Sequence, residues 1–199
     1  NVGTSFSAPI VSGIAALMAS VNGRLTPAHL LARLQEGATS PYPTSTDPTV
    51  PICRVPTGSS DIQASECVCT TQTCGAGMAN APGAVRAALR PVAAIAVPAS
   101  VSPGQNVVLR GNGSGAACNR SVVRYSWTIV GGGPTPPGIV GADTDTAVVV
   151  APATGSFTVR LRVTDDAGRE DAADVVVSPS SATTAAPAVS PAVTPAFTG

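Results

Sequence analysis

At Arg90-Pro91 the hydrophobic period of the chain changes, so the two sides of that dipeptide build different kinds of structure. Upstream, apolar residues recur at helical spacing. Over 7–21, Val11, Ile14, Leu17, Met18 and Val21 share one stripe, with Ala8, Ser12, Gly13, Ala15, Ala16 and Ala19 elsewhere. That pattern predicts a buried helix whose small residues let other backbone come close. The stretch LTPAHLLARLQEGA predicts a second helix, with Thr26 as N-cap, Pro27 in the first turn, Leu30, Leu31 and Leu34 inward, and Gly37 as the stop. Asn80 as cap and Pro82 in the first turn begin a third, which runs to about Leu89. Between the second and third lies a Pro/Ser/Thr/Asp-rich loop over 38–63.

Downstream the period is two. The segments are 92–97, 106–111, 123–129, 146–150, 156–164 and 173–178. In the fifth, Phe157, Val159, Leu161 and Val163 face one way while Thr158, Arg160 and Arg162 face the other, as a half-buried antiparallel strand requires. Tyr125 and Trp127, in step with Val123 and Ile129, read as sandwich core. Short strands between Gly/Pro turns predict an immunoglobulin-like β-sandwich over 91–178. PSSATTAAPAVSPAVTPAFTG, at 179–199, has no period and is expected to be a disordered tail.

Charge excludes two partner classes. The formal net charge is zero, so no basic field points to nucleic acid or to an anionic membrane, and no run of 18 or more apolar residues forms a membrane segment. Cys53, Cys67, Cys69 and Cys74 cluster in the polar loop, which favours an oxidising, extracellular or envelope location. They suit either two disulfides or a four-thiolate zinc site, although the Cys-x-Cys and Cys-x₄-Cys spacings depart from the usual Cys-x₂-Cys knuckle. Of the three pairings, Cys53–Cys67 with Cys69–Cys74 is preferred because adjacent pairs close short loops. Cys118 is odd. Asp165 and Asp166 precede Gly168 and read as hairpin-turn chemistry rather than a calcium site. Asn112-Gly-Ser and Asn119-Arg-Ser fit glycosylation acceptors but read as turns.

GTSFSAPIVSG, at 3–13, resembles the nucleophile segment of the subtilisin-like serine proteases, with Gly3, Thr4, Ser5, Ser7, Pro9, Val11 and Gly13 at its fixed positions. Such a serine stands on a sharp turn at a helix N-terminus, where free N–H groups and the helix dipole favour negative charge. The resemblance implies that Ser5 attacks a peptide carbonyl and that its own backbone N–H helps hold the oxyanion. CGAGMANAPGAVRAAL, at 74–89, resembles the close of the catalytic domain in secreted members, and CVCTTQTCGAG a cysteine-bearing branch of them. The G-x-[FY]-T-V-x-L-x-V-T-D-x-x-G pattern at 155–168 and VRYSWTI at 123–129 resemble a PKD-type immunoglobulin-like domain.

The family's order of catalytic residues places an Asp and a His before the serine, and only four residues precede Ser5. His29, the single histidine, lies downstream beside a leucine stripe and makes a poor base. The expectation is therefore an α/β peptidase domain present as its C-terminal part over 1–90, a sandwich over 91–178 and a tail. The chain, which lacks an initiator methionine, is expected to be cut at its start and inactive alone. The intact enzyme would be an endopeptidase acting on protein or peptide substrates, with no cofactor and at most a structural calcium. The alternative is a non-catalytic extracellular binding or spacer module carrying a protease relic.

Overall fold

In a computed structural model of the chain, residues 4–40, 42, 44–62, 66–132 and 138–179 are described. The tail expected over 179–199 lies outside them except for Pro179, and so does Gly3.

A 3-10 turn, Thr4–Phe6, leads into α1 (Ser7–Val21); α2 is Pro27–Glu36 and α3 is Ala81–Ala88. All three helices start where the sequence signals. Thr26 caps α2, its hydroxyl accepting from His29 N at 3.3 Å, and Asn80 caps α3, its Oδ1 accepting from Gly83 N at 3.0 Å. Helices α1 and α2 both pack on α3, and Ile14, Met18, Ala84 and Ala88 form the small buried centre. Two of the expected inward residues do not turn inward. Leu17 is 54% exposed and Leu31 57%. On α1 the buried line runs through Ile14 and Met18, whereas Ile10 and Leu17 lie about 70° further round the helix. The described residues cover only the first line, and Phe6, Ile10 and Leu17 remain exposed. On α2, Leu30 and Leu34 pack against the buried centre, and the residue that is fully buried is Arg33 rather than Leu31.

The neck of the long loop is closed where Thr39 and Met78 exchange backbone hydrogen bonds of 2.9 and 3.0 Å. Inside it, Ile52 and Val68 pair as an isolated parallel bridge. Up to residue 90, the described extended pairings of the expected α/β part are these two bridges alone.

The strands are β1 (Asn106–Arg110), β2 (Val122–Gly132), β3 (Thr146–Val150), β4 (Phe157–Asp165) and β5 (Glu170–Val177). They form two antiparallel sheets, β1-β3 and β2-β4-β5, as an immunoglobulin-like sandwich requires. The alternation in β4 is as expected, with Phe157, Val159, Leu161 and Val163 buried against Val107, Leu109, Ala147 and Val149 of the facing sheet. Trp127 lies in this core and its Nε1 donates to Thr144 O at 2.8 Å. Two expectations fail. Residues 92–97 make isolated bridges, Val92 to Gly115 and Ala96 to Arg110, rather than a strand. Side chains take part of that backbone, since Ala93 N donates to Asp171 Oδ2 and Ala94 N to Ser114 Oγ, both at 2.9 Å. Val123 is 63% exposed because the register shifts between Val122 and Arg124, which turns it out of step with Tyr125 and Trp127.

Candidate functional site

Ser5 sits at the middle of the 3-10 turn, exposed, immediately before α1. The next helix begins without a side-chain cap at Phe6. The helix N-terminus has no side-chain cap, and Pro9 in the first turn has no N–H to lose. The arrangement offers a hydroxyl next to backbone donors at the positive end of a helix dipole. No described group hydrogen-bonds the Ser5 hydroxyl. Gly13 faces open space, so no described backbone makes the close approach that the small residues of α1 allow.

His29 is elsewhere and engaged. Its Nδ1 lies 3.3 Å from Thr26 N and 3.1 Å from Thr26 Oγ1, completing a capping box at the start of α2. Helix α1, of 15 residues, separates that end from Ser5 by about 20 Å. No base reaches Ser5 from there.

The four clustered cysteines form the pairs preferred from spacing, Cys53–Cys67 and Cys69–Cys74. The bonds are close neighbours, with Cys53 Sγ 4.0 Å from Cys69 Sγ. Cys53, Cys69 and Cys74 sulfurs lie within 4.8 Å of one another, a spacing that would suit a soft metal if they were thiolates. As disulfide sulfurs they carry no charge to offer one, so the donor set does not fit zinc. Cys118 is exposed, and its backbone N–H donates to Val21 O at 3.0 Å, tying the end of α1 to the sandwich.

Asp165 is spent within the hairpin, as the turn reading expects, and Asp166 is paired with a neighbouring arginine. Asp165 Oδ1 accepts from Ala167 N and Arg169 N, each at 2.9 Å, while Asp166 pairs with Arg120 at 3.0 Å.

The sequence reading missed the junction between the helices and the sandwich. Arg33 of α2 is 2% exposed. Its guanidinium donates to Arg90 O at 2.9 Å and to Pro91 O, and it pairs with Asp171 of β5 at 3.3 Å. Burial lowers its pKa, and the facing Asp171 carboxylate works against that fall. Asn22 joins it, its Nδ2 donating to Ala88 O and Arg90 O at 3.0 Å each. The leucine stripe gave no signal of it, since Arg33 lies about 100° round α2 from the centre of Leu30, Leu31 and Leu34.

Comparison with known proteins agrees with both halves of the sequence. Residues 2–64 match the subtilase family model, and residues 98–178 match a PKD domain model. Among curated proteins, none matches. Among solved structures, PKD domains are similar to part of the chain. The PKD1 domain of the Vibrio cholerae metalloprotease PrtV is 24% identical, over 46% of this chain and 99% of that one, with a TM-score of 0.35. The PKD1 domain of Vibrio anguillarum Epp is 21% identical, over 45% and 93%, with a TM-score of 0.34. The two family matches support a subtilase-family protease with a PKD module.

Proposed function

We propose that the chain is the serine-bearing part of a secreted endopeptidase, with Ser5 as the nucleophile and the sandwich as an appended module. One observation carries this reading: the family-matched serine stands exposed on a turn that feeds an uncapped helix N-terminus. Ser5 Oγ attacks the scissile carbonyl. The carbonyl oxygen, now negative, is held by the Ser5 N–H and by the dipole of α1. Collapse expels the amine and leaves an acyl group on Ser5, which water then releases. The attack needs a base to take the hydroxyl proton, and His29 is bound up in its capping box. The reading therefore assigns the His and its orienting Asp to chain outside these 199 residues, in the order that the family resemblance implies. The exposed line of Phe6, Ile10 and Leu17 gives such chain an apolar face to cover. Two disulfides in the loop fit an extracellular location, and no described helix is long and apolar enough to cross a membrane. In domain terms the proposal divides the chain at about residue 90, with the tail from 179.

A fluorophosphonate probe tests it, since the probe labels only a serine that a base and oxyanion donors activate. The 199-residue chain is expected to show no labelling above its Ser5→Ala variant. A chain extended upstream through the whole family domain is expected to label at one site, and Ser5→Ala to abolish it. Labelling of the extended chain at another residue would remove Ser5 from its role. No labelling at all would favour the relic.

A further inference from the structure

We propose that the cleft between α3 and the β4–β5 hairpin is a binding site for a small oxyanion of two or more negative charges, either a polycarboxylate or a phosphate. A cavity of about 450 Å³ opens there, with Glu36, Asn80, Gly83, Arg86, Arg90 and Arg169 in its walls. The three arginines come from different places: Arg86 from α3, Arg90 from the segment after it, and Arg169 from the turn between β4 and β5.

Their protein partners leave donors over. Arg90 Nη2 reaches Glu36 Oε2 at 2.6 Å, and the Glu36 side chain is half exposed and able to swing aside. Arg169 Nε reaches Asp165 Oδ2 at 2.9 Å. Arg86 is exposed and makes no ion pair among the described residues. Arg90 Nε and Arg169 Nη2 are buried and have no hydrogen-bond partner among the described residues. Buried N–H groups are nearly always satisfied in folded proteins, and here two orphans belong to side chains that line one cavity. Each guanidinium thus has hydrogen-bonding capacity that its protein partner does not use.

The chemistry of a fitting acceptor follows from the groups. A guanidinium presents its N–H donors as a planar fork that matches the paired oxygens of a carboxylate or phosphate. Glu36 and Asp165 neutralise two of the three arginines, so the walls carry one excess positive charge. An anion that displaces Glu36 from Arg90 meets a second unneutralised guanidinium, which is why a multiply charged ligand is favoured over chloride. Because Arg86 belongs to the helical part and Arg169 to the sandwich, the bound anion bridges the two.

The test is a titration of the isotope-labelled 199-residue chain, read at the arginine Nε–H resonances. One arm uses citrate and the other inorganic phosphate, each against sodium chloride at equal ionic strength. Saturable shifts of Arg90 and Arg169 are expected in at least one arm, and the responding arm identifies the source of the oxyanion. Arg86→Gln, a change at an exposed side chain that leaves the fold intact, is expected to weaken binding at least tenfold. Glu36→Gln is expected to tighten it by removing the resident carboxylate. Shifts that follow ionic strength without saturating, or an affinity unchanged in Arg86→Gln, would overturn the site.

Discussion

Among the described residues of the sandwich, Asp165 is the one carboxylate that is fully buried, and its own hairpin holds it. Burial pushes its carboxyl pKa up, but the N–H groups of Arg169 and Ala167, with the Arg169 side chain, outweigh that and leave it below the ordinary 3.8. A group whose folded pKa is depressed stabilises above its unfolded pKa and loses that contribution as pH falls through the folded value. Asp165→Asn is thus expected to cost roughly 2 kcal/mol at pH 7, the scale of losing charge-assisted hydrogen bonds at a buried group. The gap between variant and parent should then narrow below about pH 4. Urea unfolding from pH 7 to pH 2.5 measures it, and a gap constant over that range would contradict the assignment. The alternation of β4 already placed residue 165 in phase with Phe157, Val159, Leu161 and Val163, so the inward aspartate was legible in the sequence. The turn that carries Ser5 and the helix after it were legible because the two are contiguous in the chain. The arginine cleft was not, because Arg86, Arg90 and Arg169 share no local pattern and meet only through the fold.

Among the elements, those with chemical punctuation at their ends were the readable ones. Thr26, Pro27, Asn80 and Pro82 fixed the helix starts, since each supplies or dispenses with a particular N–H. Segments whose pairing depends on distant side chains were misread, as 92–97 was when Asp171 and Ser114 took its donors. The α2–α3 contact rests on two glycines. A Cβ on Gly83 would lie 2.1 Å from Gly37 O, and one on Gly37 2.3 Å from Ala84 N. Neither obstacle is a flexible side-chain tip. Gly83→Ala, although favourable for helix propensity by up to about 1 kcal/mol, is expected to destabilise by more than it gains, a net loss of about 1–3 kcal/mol. A thermal melt checks it, and an unchanged or raised midpoint would mean that the crossing is looser than these distances. The loop between these helices carries the two disulfides, so after oxidative expression the mass should fall short of the all-thiol value by four hydrogens, two for each of two bonds. Five alkylatable thiols under native oxidising conditions would refute the pairing, since Cys118 alone is expected to react.

At the level of the whole molecule, the two parts differ sharply in how well each can stand alone. The sandwich has a continuous core from Ala93 to Val177, whereas the helical part buries little more than Ile14, Met18, Ala84 and Ala88. An independent sandwich and a dependent helical part follow from that contrast. The junction adds coupling that hydrophobic patterning does not reveal. Arg33 takes up the carbonyls of Arg90 and Pro91, where the chain passes from one part to the other, and clasps Asp171 on β5. Arg33→Met keeps much of the volume but removes those donors, leaving the Pro91 carbonyl without its guanidinium, the Arg90 carbonyl with Asn22 Nδ2, and the Asp171 carboxylate with Ala93 N. Breaking one side of a buried pair of this kind costs about 3–5 kcal/mol. Most of that loss should fall on the helical part, because the sandwich retains its own core. The parent chain is expected to unfold in one transition, and the variant in two, the sandwich melting near its original midpoint after the helices have opened. Protease should then cut the variant between α3 and Val92 while sparing 93–177. If the helices and sandwich of Arg33→Met still melted together at the parent's midpoint, the junction would be held by contacts such as the Cys118 N–H bond to Val21 O, with Arg33 only a passenger in it.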